Sequence, residues 1–139
     1  MGRRRKAREL ALQCLYELES PGKEPDRVLD DQAARRRSAP ASEEYARRLV
    51  AWTREETAAI DAAVAERVEH WEPERLSLIV RLVLRLCLAE GRRAPEVPTR
   101  VILDEAVELA RKYDGDGAAR FVNGVLEPLL LAARAEEAP

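Results

Sequence analysis

Aromatic side chains make up only 4% of the 139 residues: one phenylalanine, two tryptophans and three tyrosines. That argues against a β-sandwich, which draws on aromatic and β-branched residues, whereas 46% hydrophobic and 36% charged residues suit amphipathic helices. No run of 18 apolar residues occurs, so no transmembrane helix is expected. The Arg-rich start leads into an amphipathic pattern containing acids rather than into the apolar core of a secretion signal, so a soluble, cytoplasmic chain is expected. One histidine, His70, and two isolated cysteines, Cys14 and Cys87, cannot furnish a four-ligand zinc site. Both cysteines fall in apolar helical stretches and read as reduced packing residues.

Catalytic and cofactor signatures are also missing. There is no GxGxxG and no P-loop, and no nucleophile, base and orienting group can be assembled around His70. Asp114-Gly-Asp-Gly opens like a calcium loop, but Ala118 holds the position of the fifth residue and no glutamate follows at the twelfth, leaving a helix-ending turn. The expectation is a non-enzymatic protein with no metal and no cofactor.

The sequence does have an uneven charge distribution. Arg3, Arg4, Arg5, Lys6 and Arg8 lie within the first eight residues without an acid, leaving 19 bases against 26 acids in the remaining 131. Positive charge in a first helical turn opposes the helix dipole by up to about 1 kcal/mol per residue, so something other than helix stability should favour the cluster. Two readings stand: a solvated terminus, or an arm that binds phosphates.

Apolar spacing predicts a helix from Arg3 to Glu19 with Ala7, Leu10, Ala11, Cys14, Leu15 and Leu18 inward, and a shorter one from Asp26 to Arg36. A long helix follows, capped by Ser42 and ending near His70. The nearly all-apolar stretch from Leu76 to Ala89 predicts a central helix closed by Gly91, with Leu84 and Leu88 in the core. Thr99 is expected to cap a helix to Tyr113, and a last helix from near Ala118 is expected to stop or kink at Pro128. The class is all-α: one compact bundle of six to seven helices over residues 1–139. Within Arg120-Phe-Val-Asn-Gly-Val-Leu, the mid-helix Gly124 costs about 1 kcal/mol relative to alanine, and a close helix approach would justify it.

The string FVNGVL at 121–126, preceded by DEAVELARKY at 104–113, resembles the C-terminal signature of the NusB family. The opening RRRKARELALQCLYELE, the segment 71–90 with its LRLCLAE ending, and VPTRVILDEA at 97–106 extend the resemblance over almost the whole chain. It implies two fused three-helix subdomains, roughly residues 1–70 and 71–139. It also implies transcription antitermination: binding of single-stranded boxA RNA from ribosomal RNA operons together with the ribosomal protein NusE, within an RNA polymerase complex, with homodimer formation left open.

Carried onto this sequence, the resemblance assigns Arg3, Arg4, Arg5, Lys6, Arg8, Tyr16, Arg120, Phe121 and Asn123 to RNA, and Tyr16, Glu74, Val80, Arg81 and Phe121 to NusE. Val80 departs from the acid usual at its position. An exposed Tyr16 beside a basic arm would suit single-stranded RNA, where bases stack on aromatics and phosphates meet cations, while a buried Tyr16 is the plain alternative. Phe121 is expected at the edge of the surface rather than deep in the core. Two other readings remain: an accessory domain for an RNA methyltransferase, although no catalytic βα domain follows, and a helical module that binds only protein.

Overall fold

The computed structural model describes residues 3–137, with side chains from 4 to 135. Six α-helices follow one another: α1 (Arg3–Glu17), α2 (Pro25–Arg36), α3 (Pro40–Arg67), α4 (Leu78–Arg93), α5 (Thr99–Asp114) and α6 (Asp116–Glu137), with a 3-10 turn at Pro73–Arg75 between α3 and α4. Helices α1, α2 and α3 pack on one another, as do α4, α5 and α6, and α4 joins the two groups by packing on both α1 and α3. One continuous hydrophobic cluster runs through both groups. Leu84 and Leu88 on α4 lie inside it, Leu84 with 2% of its surface exposed. No helix among the described residues is long and apolar enough to cross a membrane.

Local chemistry sets the helix ends. Glu24 caps α2 by accepting from the amides of Asp26 and Arg27, Pro25 supplies a preset first position, and Arg37 ends the helix in the left-handed region at φ 52°. Ser77 caps α4 through the amide of Val80 at 3.1 Å, while its hydroxyl donates to Asp114 at the end of α5 at 2.6 Å. Gly115, at φ 92°, makes the turn from α5 into α6 that a side chain would resist.

Several helix ends differ from the sequence expectation. Helix α3 begins at Pro40 with Ala39 as its cap, so Ser42 lies inside the first turn and is buried. Helix α5 takes Pro98 as its cap, and the hydroxyl of Thr99 instead accepts from Arg134 on α6 at 3.1 Å. Gly91 does not close α4 but lies within it, where a Cβ would come within 2.5 Å of Leu130 Cδ2 on α6. The close approach expected at Gly124 is found at Gly91; a Cβ on Gly124 would meet nothing within 4 Å.

Pro128 does not end α6, which continues to Glu137. The carbonyl that a helical proline leaves unpaired and crowds is four residues back, here at Gly124. Both residues are exposed, so that carbonyl can turn to water, while buried Leu129, Leu130 and Ala133 hold the following turns on the core.

These placements predict opposite signs for two changes to alanine, although both replace poor helix formers. Gly91→Ala should lower stability by about 1 to 3 kcal/mol, because the new methyl displaces fully buried Leu130. Pro128→Ala should raise it by up to about 3 kcal/mol. Urea midpoints measure both; an unchanged midpoint for Gly91→Ala would contradict the close packing of α4 on α6.

Burial pushes the Cys14 thiol up to about 12 and raises that of Cys87 as well. Both thiols stay protonated and shielded in the native fold. Neither should react with iodoacetamide at pH 8 until denaturant unfolds the chain, as followed by mass spectrometry.

Candidate nucleic-acid and partner interface

The basic start of α1 divides into bound and available cations. Arg8 is 2% exposed, and its Nε and Nη2 each donate at 2.7 Å to one oxygen of Glu90, which has no exposure. The hydroxyl of Tyr45 on α3 donates to Oε2 of the same carboxylate at 2.6 Å. Burial alone would make the Arg8 guanidinium easier to deprotonate; the hydrogen-bonded Glu90 overrides this and raises its pKa. Burial, reinforced by Glu90, also raises the pKa of the Tyr45 hydroxyl, which therefore remains a donor. Arg8 is thus an internal counterion that joins α1 to α4, and its assignment to RNA is corrected.

Arg5 forms a two-pronged pair with Glu105 of α5 at 2.9 Å, and that partner raises its pKa. Its guanidinium is partly exposed but already occupied. Arg4 extends over the Tyr45 ring, 4.5 Å from the centroid, with Glu96 a loose 3.7 Å away. Lys6 is exposed and has no ion pair among the described residues. The side chain of Arg3 lies outside the described residues. The cost of placing bases at a helix start is therefore offset partly within the fold, by Glu90 and Glu105, and only some of the cluster is left for an external anion.

Tyr16, one helical face further along, is 53% exposed, which removes the buried alternative. It borders an open groove of about 250 Å³ with Leu12 and Gln13 of α1, Ile79 of α4 and Tyr113 of α5. Gln13 Nε2 donates to the Tyr113 hydroxyl at 3.0 Å and so ties two walls of the groove together. An apolar recess with an aromatic rim and a few polar atoms suits a protein side chain or an unstacked base. Ile79, Gln13 and Tyr113 were not identified from the sequence. Only the meeting of α1, α4 and α5 brings all three to one edge.

The other expected positions lie outside this groove. Phe121 is half-buried against the core, between exposed Arg120 and Asn123 on α6, as expected for an edge residue. Glu74 is exposed in the 3-10 turn. Val80 is 5% exposed: the Ser77 cap fixes the register of α4 so that Val80 enters the core with Val83, Leu84 and Cys87. Its assignment to a partner surface is corrected, and valine at this position is a packing residue. Arg81 is half-buried, and its buried Nε–H lacks an acceptor among the described residues.

The division of roles predicts different outcomes along one helix. Arg8→Ala strands the buried Glu90 carboxylate and should cost about 3 to 5 kcal/mol. Lys6→Ala should leave the denaturation midpoint within error of the parent. Equal stability of the Arg8 variant and the parent would contradict the counterion role.

A sequence model of the NusB family matches residues 5–130. The chain is 41% identical over 127 residues to the transcription antitermination protein NusB of Sorangium cellulosum, covering 91% of each chain. It is 38% identical over 150 aligned positions to the corresponding protein of Symbiobacterium thermophilum, covering 97% of this chain and 96% of the relative. Among solved structures, it is similar to T. maritima NusB, with a TM-score of 0.82 and 29% identity over 98% of this chain and 93% of that one. It is also similar to a chain in a crystal structure of the antitermination factors NusB and NusE in complex with dsRNA, with a TM-score of 0.84 and 27% identity over 94% and 97%. Sequence and fold agree over nearly the full length, and the chain belongs to the NusB family.

Proposed function

We propose that the chain is a non-enzymatic transcription antitermination factor that binds the boxA element of ribosomal RNA transcripts together with NusE, and so helps RNA polymerase pass terminators in the cytoplasm. The observation that carries this reading is the outward face of α1: Lys6 supplies accessible positive charge at its start, exposed Tyr16 rims an apolar recess near its end, and Arg4 adds a second cation on the side toward α3. Cations for phosphates beside an aromatic for a base or a protein side chain form the pairing that single-stranded RNA and a protein partner each require.

The solved relative with NusE contains double-stranded RNA. The preference for unpaired RNA proposed here rests instead on Tyr16, whose ring can stack only on a base that is free of its duplex. Phe121, Arg120 and Asn123 supply a second polar and aromatic edge on α6, and Glu74 and Arg81 supply charge toward NusE.

Titrations of labelled boxA RNA, a scrambled strand and a boxA duplex, each with and without NusE, test the proposal. The single strand should bind most tightly, more so with NusE present. Lys6→Ala should lower the slope of log affinity against log salt by about 0.7, the share of one phosphate contact on a single strand. Tyr16→Ala should weaken both RNA and NusE binding while leaving stability near that of the parent, since the ring is half in solvent. Equal affinity for boxA and scrambled RNA in the presence of NusE would overturn the proposal.

A further inference from the structure

Helices α1 and α3 pack side by side, and the surface between their N-terminal halves holds a second groove of about 320 Å³ bordered by Arg4, Ala41, Glu44, Tyr45 and Arg48. Two guanidiniums reach it, held in different ways. Arg4 rests over the Tyr45 ring at 4.5 Å. That ring is fixed: its hydroxyl donates to buried Glu90, and Trp52 meets it edge-on with centroids 6.0 Å apart. A cation over an aromatic face keeps its N–H edges free for a ligand, and the nearest acid to Arg4, Glu96, is exposed and 3.7 Å away.

Arg48 follows Tyr45 along α3 and pairs with Glu44 one turn earlier at 2.9 Å. Both members of that pair are well exposed, so their attraction is screened and weak. Arg4 and Arg48 therefore face one carboxylate inside the groove, Glu44, leaving an excess positive charge. A phosphate has the geometry to engage guanidinium forks in a two-pronged manner, which an exposed helix-surface pair does not match.

We propose that this groove is a second phosphate subsite, in which Arg4 and Arg48 grip one backbone phosphate of bound single-stranded RNA and displace the Glu44 carboxylate from Arg48. Tyr45 is a positioning residue: anchored through Glu90, it fixes where Arg4 lies. The inference rests on the RNA-binding reading given above and extends the RNA path to the α3 side of α1, opposite in packing to the Tyr16 groove on α4 and α5.

The experiment is a salt titration of labelled single-stranded boxA RNA against the full chain saturated with NusE. The parent is compared with Arg48→Ala, Glu44→Gln, the double variant, Lys6→Ala, and Arg75→Ala as a control for losing an exposed base elsewhere. Arg48→Ala should lower the salt slope by about 0.7, and Arg75→Ala should not. Glu44→Gln should tighten binding about two- to fivefold at low salt by releasing Arg48, a gain that disappears in the double variant. All these positions are exposed, and melting temperatures recorded alongside confirm that the fold is intact. An unchanged slope for Arg48→Ala, or a Glu44→Gln gain that persists without Arg48, overturns the subsite; if Lys6→Ala still lowers the slope, the general RNA reading survives. A parent that does not bind the RNA at all overturns both.

Discussion

A carboxylate with no exposure to water must have both oxygens satisfied, and Glu90 achieves this with the guanidinium of Arg8 and the hydroxyl of Tyr45. Those three side chains come from α4, α1 and α3, so a single charge requirement ties together the helices that carry the two halves of the fold. A buried ion pair of this kind adds little net stability over well-packed apolar residues; what it enforces is register, because any slippage of α1 along α4 would leave a charge unpaired in the core. The orientation of α1 is thereby fixed, including which of its residues face water.

The functional reading follows from that orientation. With Arg8 turned inward and Arg5 held by Glu105, the outward face of α1 presents Lys6 at its start and Tyr16 near its end, while Arg4 lies to one side on the Tyr45 ring. The same carboxylate that secures the core therefore also determines which cations remain for an external anion. The Tyr16 groove depends on a second junction, the packing of α4 on α5 that brings Ile79 and Tyr113 to one edge, where Ser77 also donates to Asp114.

Much of this was legible in the sequence. The i, i+3, i+4 spacing of Leu10, Ala11, Cys14 and Leu15 marked the buried stripe of α1, and the apolar density around Leu84 and Leu88 marked the central helix. What stayed hidden required knowledge of tertiary partners. Nothing local distinguishes Arg8 from Arg4, because the difference lies in Glu90, 82 residues away. Val80 was placed on a partner surface by the family resemblance alone, and the register set by the Ser77 cap turns it into the core. Gly91 and Gly124 are both mid-helix glycines, and only the position of Leu130 shows which of them is required for packing. Pro128 was read as a stop or a kink because the sequence does not reveal that Gly124, whose carbonyl the proline releases, is exposed.

The central claim is that the buried Arg8–Glu90 pair stays closed while its neighbours on α1 meet RNA. Arginine Nε–H resonances in an isotope-labelled chain report on this directly, since each side chain gives its own signal and paired protons exchange slowly with water. On addition of single-stranded boxA RNA, the Arg4 signal should shift while that of Arg8 keeps its position and slow exchange. A shift or accelerated exchange at Arg8, with Arg4 unmoved, would contradict the account.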